Sequence, residues 1–219
     1  MMKWKQQSPI NLQPTVSATT PADYLELAWS KAIDGFLHQG PHGIEVLFGT
    51  DSDVFLRLEG KPFHLRNFHF HHPSEHCLNA DAFHGELHLV HQNLSDLSYA
   101  VVGVFLSIDN SQSETDQMKE LIQSFQRSHK SVSGPAKPIP LQPQSWLPPS
   151  YERLLRYEGS LTTEPFTESV TWLVLPDPKP ISENLFAAIF GCHPQEARGL
   201  QSLDRRYILD LEVNIKLSK

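Results

Sequence analysis

The chain of 219 residues has only two cysteines, Cys77 and Cys192, so a disulfide framework is not what holds its fold together. Whether the two pair with each other is not readable from their positions. No apolar run reaches the length of a membrane span. Basic residues are also scarce: 18 Lys and Arg against 25 Asp and Glu leave a formal net charge of -7. Without a basic field there is nothing to displace the counterions of a nucleic acid, which argues against that class of partner. The opening Met1-Met2-Lys3-Trp4-Lys5 is not followed by an apolar stretch, so no secretory leader is visible. The expectation is a cytoplasmic protein, or a periplasmic or secreted one if a leader was removed. No internal repeat is visible. With 39% hydrophobic and 20% charged residues, the composition is that of a globular chain, and its length suits one domain over residues 1–219.

What the chain has in abundance is histidine, and its placement is uneven. His64, His69, His71, His72, His76, His84, His88 and His91 all fall in one short stretch. A solvated surface has no need of such a cluster, whereas a metal site or proton chemistry does.

Most of the chain reads as short strands. Ile44 to Phe48 and Val54 to Leu58 are β-branched and apolar runs separated by turn residues, which predicts a hairpin. Pro62 to His71 alternates, with Phe68 and Phe70 on one side and His69 and His71 on the other. Glu86 to His91 alternates likewise. Tyr99 to Ile108 is a nearly continuous apolar run that suits a strand buried on both faces, and Val170 to Leu175 is another. Helices are predicted over Glu114 to Arg127, where Met118, Leu121, Ile122 and Phe125 have helical spacing, and over Glu183 to Phe190, with Ser182 as N-cap and Gly191 after the end. The Pro-rich stretch Ser131 to Ser150 contains Trp146 and Leu147 and reads as an extended segment packed on the domain.

Residues two apart in a strand share a face, so His69 and His71 project together and suit two ligands of one metal ion. His88, on a second alternating strand, is the candidate third ligand. Three neutral imidazoles leave zinc its full double charge, which lowers the pKa of a bound water to about 7. By the same parity His72 falls opposite His71, His91 opposite His88, and His64 opposite His69 if the strand is unbroken. These three read as surface or core histidines. Glu86 shares a face with His88, placed either to hold its second ring N–H or as a simple surface carboxylate. A rival pattern, H-x-H-x-x-x-E from His69, His71 and Glu75, would make the glutamate itself a ligand, as in cupins. It requires flanking glycines where Phe63 and Ala82 stand.

Phe68-His69-Phe70-His71, Pro73-Ser74-Glu75-His76 and Glu86-Leu87-His88-Leu89-Val90-His91 together resemble the core signature of alpha-class carbonic anhydrases. Gln7-Ser8-Pro9-Ile10-Asn11-Leu12, Tyr157 to Thr163, Val170-Thr171-Trp172 and Arg198 to Arg206 resemble the family's other motifs, in its order. The resemblance implies an α/β, mainly β, fold: one domain around a large, mostly antiparallel twisted sheet with a few peripheral helices. It implies Zn2+ on His69, His71 and His88, with Asn67 orienting His69 and Glu86 orienting His88. Thr162 would accept a hydrogen bond from zinc-bound hydroxide and donate its own proton to Glu75. Val90, Val101, Leu161, Val170 and Trp172 would line the pocket for carbon dioxide. His42 takes the proton-shuttle position, with His38 as the nearby substitute. The implied activity is reversible hydration of carbon dioxide to bicarbonate, with weak ester hydrolysis from the same nucleophile. The alternative is a zinc-binding relative with little turnover. The sequence leaves the oligomeric state open, a homodimer included. The chain departs from the family in having Asn67 in place of Gln, Phe166 where secreted members carry a cysteine, Glu196 in place of Asn, and only six residues before Gln7.

Overall fold

The structure, a computed structural model, describes residues 5–40, 43–49, 53–128, 138–191 and 197–218. In chain order its elements are β1 (Asn11–Leu12), β2 (Val16–Thr19), β3 (Leu25–Ala28), β4 (Ile33–Gly40), β5 (Gly43–Leu47), β6 (Phe55–Leu58), β7 (Lys61–His71), β8 (Cys77–Leu78), β9 (Gly85–Gln92), β10 (Tyr99–Ile108), α1 (Asp116–Ser128), β11 (Ile139–Leu141), β12 (Arg153–Ser160), β13 (Glu168–Ile181), α2 (Glu183–Phe190), β14 (Leu209–Glu212) and β15 (Lys216–Leu217).

Among the described residues, thirteen strands form one sheet along the path β11-β4-β5-β7-β9-β10-β13-β12-β14-β2, with β6, β3 and β15 branching from β7. Most pairs are antiparallel. The exceptions within it are β10 with β13, β14 with β2, and β15 with β3. This is the large, mostly antiparallel sheet with peripheral helices that the motifs imply. β10 is buried along most of its length, as its unbroken apolar run requires. No helix among the described residues is long and apolar enough to cross a membrane.

The two sheet faces bury different clusters. On the back, Phe70 packs against Phe125 of α1, Phe190 of α2 and Trp146. Met118, Leu121, Ile122 and Phe125 are all buried, which explains the helical spacing of α1. On the front, Val90, Val101, Tyr157, Val170 and Trp172 cluster with Ile10 and Leu12. The N-cap of α2 forms as expected, with Leu185 N–H donating to Ser182 Oγ at 3.1 Å. α1 begins at Asp116 rather than Glu114, because Met118 N–H is capped by Thr115 Oγ1 while Glu114 accepts from Ser182 Oγ at 2.7 Å. In the Pro-rich stretch, 131–137 lie outside the described residues, and Trp146 and Leu147 beyond them are buried.

Two expectations need correction. Ile44–Phe48 and Val54–Leu58 do not pair as a hairpin. β5 and β6 lie end to end along the same edge of β7, at His69–Asn67 and at His64–Lys61. The tight turn is instead Glu59-Gly60 between β6 and β7, with φ of 50° and 82°. Two successive positive φ values make the turn whose twist matches a hairpin, and Gly60 adopts its φ without a Cβ penalty. β7 is also not an unbroken strand. Its ladder with β9 slips between Leu65 and Asn67, so the buried positions change from Phe63 and Leu65 to Phe68 and Phe70. His64 therefore shares a face with His69, contrary to simple parity.

Candidate metal centre

β7 and β9 place the three histidines. His69 pairs across the ladder with His88, and His71 pairs with Glu86. Phe68 and Phe70, anchored in the back core, drive the alternate histidines to the front. Ligand-capable nitrogens of His69, His71 and His88 all lie within 4.8 Å of one another. His71 and His88 are buried and His69 is half-buried, so the cluster opens on the side of His69.

Two neighbours settle which ring nitrogens face inward. His69 Nδ1 lies 3.0 Å from Asn67 Oδ1, an acceptor, so it carries the proton and Nε2 is the nitrogen on the side of the cluster. The shorter Asn side chain thus makes the contact. His88 Nε2 lies 3.0 Å from Glu86 Oε1, which leaves its Nδ1 for a metal. Burial pushes the Glu86 carboxyl up, but the charges and hydrogen bonds of His76 and His88 outweigh it and hold it well below the usual carboxylate range. His76, Glu86 and His88 also converge. There both Glu86 oxygens are occupied, by His76 Nδ1 at 2.7 Å and His76 N–H at 2.8 Å, so this group is a hydrogen-bonded support. Three imidazoles oriented by carboxamide and carboxylate, buried on one side and open on the other, fit a metal ion with a vacant coordination position.

Glu75 stands beside this cluster, its Oε2 3.4 Å from His71 Nε2 and 3.8 Å from His88 Nδ1. Its Oε1 accepts Arg198 N–H at 2.9 Å, and the Thr162 hydroxyl hydrogen-bonds to the carboxylate. Burial raises its pKa against the lowering effects of His88, Thr162 and the Arg198 N–H. One Glu75 oxygen is therefore held by the Arg198 N–H, while the other lies against His71 and His88 at the edge of the three-imidazole cluster. The apolar residues occupy one ladder row: Asn67 opposes Val90, Val90 opposes Val101, and Val101 opposes Trp172. Val170 and the half-buried Leu161 join the same cluster. The Trp172 ring lies 4.8 Å from that of His88, so the apolar row borders the metal cluster.

His42 lies outside the described residues. His38 is exposed on β4. Of the histidines read as surface or core, His72 is exposed and bonds to the His84 carbonyl, while His91 is buried and stacked on Trp29 at 5.4 Å. His64 packs against Phe55.

The sequence reading missed the support behind Glu86. His76 Nε2 lies 2.6 Å from the Tyr157 hydroxyl, which lies 2.8 Å from Ser8 Oγ. Ser8 N–H donates to Ser160 Oγ at 2.9 Å, and Ser160 N–H donates back to Ser8 Oγ at 3.1 Å. The guanidinium of Arg198 closes this end, donating to the Ser8 carbonyl at 2.6 Å and to Gln7 Oε1 at 3.0 Å while stacking on Phe166. Each motif was visible in the chain, but these partners lie 81 to 191 residues apart and nothing local announces them.

Fold and site together define a class: a large twisted sheet that carries, on one face, three histidines that could hold a metal ion. A family model described as eukaryotic-type carbonic anhydrase matches residues 1–208. Human carbonic anhydrase 7 is 32% identical over 81% of this chain and 73% of its own length. The alpha-carbonic anhydrase of Photobacterium profundum is 27% identical, with a TM-score of 0.73 over 93% of this chain and 88% of that one. The alpha-carbonic anhydrase of Thermovibrio ammonificans, solved with the inhibitor sulfanilamide, is 26% identical, with a TM-score of 0.70 over 93% and 86%. The chain belongs to the eukaryotic-type carbonic anhydrase family.

Proposed function

We propose that this chain catalyses the reversible hydration of carbon dioxide to bicarbonate and a proton, with zinc held by His69, His71 and His88. The observation that carries this reading is the convergence of three imidazoles beside a Thr162–Glu75 pair and an apolar row. Zinc on three neutral imidazoles supplies the Lewis acidity that makes hydroxide available near neutral pH.

The chain's own residues do the rest. Asn67 and Glu86 fix which nitrogen of His69 and His88 faces the metal. When Glu75 is ionised, Thr162 commits its hydroxyl proton to it, since a carboxylate only accepts. The threonine oxygen can then only accept, so it would fix the orientation of an O–H group held over the three imidazoles. Val90, Val101, Leu161, Val170 and Trp172 offer carbon dioxide an apolar resting place that water occupies poorly. The proposal takes residues 1–219 as one domain, which the pairing of β2 with β14, from opposite ends of the chain, supports.

Stopped-flow hydration assays with metal analysis test the reading. The zinc-loaded protein should accelerate hydration, lose the activity to a chelator, regain it with zinc, and be inhibited by a sulfonamide. A zinc-loaded protein with a rate equal to buffer alone would instead identify a binding protein.

A further inference from the structure

We propose that a cavity beside the loop carrying Thr162, walled by Lys5, Phe166 and Arg198, is a binding site for a small organic carboxylate. The cavity measures about 430 Å3, a size suited to a small molecule, and its walls also include Gln7, Pro165 and Glu168. None of its described lining residues is a histidine of the metal cluster, so its chemistry is separate from that of the three imidazoles. Charge decides the class of ligand. Lys5 is exposed and makes no ion pair among the described residues. Arg198 gives its guanidinium only to neutral acceptors, the Ser8 carbonyl at 2.6 Å and Gln7 Oε1 at 3.0 Å, and has no carboxylate partner for it among the described residues. Burial lowers its pKa, and the charge that opposes this is that of Glu75, not of Glu168. Glu168, the carboxylate of the wall, is already engaged: its Oε1 accepts from Gln6 N–H at 2.9 Å and from Gln7 Nε2 at 3.0 Å. Two cations without an ion-pair partner repel a positive ligand and lack an anion. The planar fork of Arg198 matches a carboxylate in particular.

Phe166 and Pro165 make the cavity suited to an organic rather than an inorganic anion. The Arg198 guanidinium carbon lies 3.7 Å from the centre of the Phe166 ring, so cation and ring form one fixed corner. Phe166 holds that position with a φ of 57°, in the left-handed region that bulky residues rarely adopt. Its N–H donates to the Thr163 carbonyl at 2.8 Å, and Leu161 N–H donates to the Thr167 carbonyl at 2.9 Å, which pins the loop on both sides of the strained residue. Strain that persists on a cavity wall points to a ligand contact at that place. A carboxylate carried on an apolar body satisfies both halves of the corner, its oxygens meeting Arg198 and Lys5 and its body covering Phe166 and Pro165. An inorganic anion would leave the apolar half bare.

The test titrates the full chain with benzoate by calorimetry at constant ionic strength, with and without zinc. We expect one saturable site of equal affinity in both forms. Benzamide, neutral and of the same shape, and acetate, which lacks the apolar body, should each bind about tenfold more weakly or worse. Arg198→Gln removes the fork while keeping the backbone N–H that Glu75 accepts, and should weaken benzoate about tenfold or more. Lys5→Glu should do the same by reversing a charge, and because Lys5 is exposed it carries the test if Arg198→Gln fails to fold. In NMR spectra of the wild type, the Phe166 ring signals should move with the same saturation curve. No saturable binding to the wild type would overturn the proposal. So would benzamide or acetate binding as tightly as benzoate, wild-type affinity in Lys5→Glu, or binding that appears only with zinc, which would place benzoate on the metal. Failure of the hydration reading would leave each of these outcomes unchanged.

Discussion

Glu86 and His88, two apart on β9, meet with Oε1 3.0 Å from Nε2, and the same oxygen lies 2.7 Å from His76 Nδ1. One fully buried carboxylate thus orients His88, a proposed ligand, and ties it to the chain running through His76 and Tyr157 to Ser8. Glu86→Ala leaves two buried imidazole nitrogens without their acceptor and frees the His88 ring to turn. We expect zinc affinity to fall about 10- to 100-fold in competition titrations with a chromophoric chelator. Unchanged affinity would show that the ring is held by packing alone.

Glu75→Gln separates the two metal-site readings. A glutamine turned to accept from Thr162 presents its NH2 group to the Arg198 N–H, and turned the other way it cannot accept from Thr162. The hydrogen-bond direction at Thr162 is lost while the three imidazoles stay in place. We expect zinc content to be retained and kcat/KM for hydration to fall about 100-fold. Loss of zinc would make Glu75 a ligand, as in the cupin pattern.

His91 links stability to pH. Burial against Trp29 lowers its pKa to about 3, opposed by hydrogen bonds to the backbone of Leu89 and Ala100. Its folded pKa therefore lies below the ordinary value of about 6.5, so the unfolded chain binds the proton more tightly. The contribution is fully present above pH about 6.5 and is lost as pH falls toward 3, at up to about 1.4 kcal/mol per unit. His91→Phe preserves the stacking and removes the titration. Metal-free wild type and variant should diverge in Tm as pH falls from 6.5 to 4.5, with the wild type dropping faster. Parallel curves would contradict a buried neutral His91.

Gly159 lies where the chain behind Glu86 crosses β12. A Cβ there would meet Ser8 Oγ and come within 2.8 Å of the Tyr157 ring and 3.0 Å of the Trp172 ring. All three neighbours are buried, so none can yield cheaply. We expect Gly159→Ala to destabilise the protein by about 1–3 kcal/mol in denaturant titrations. Because the clash falls on the Ser8–Tyr157 link, zinc affinity should fall as well. A stable variant with intact zinc affinity would show that the link has slack.

Sequence by itself determined what depends on near neighbours. The alternation of Phe68, His69, Phe70 and His71 dictates that two histidines share a face, because strand parity is a property of adjacent residues. The same locality made β10, α2 with its Ser182 cap, and the apolar positions of α1 readable, and His91 was correctly set apart from His88. Only the tertiary structure decided which strands meet and in what register. It put His88 opposite His69, set β5 and β6 end to end on β7, and moved His64 to the front through a one-residue bulge. It also brought Arg198 to Glu75 and Ser8 to Tyr157 across most of the chain. Such pairings are selected by the packing of two opposed core faces and by the demand that buried polar groups find partners. Those constraints act between residues far apart in sequence, so no local pattern carries them.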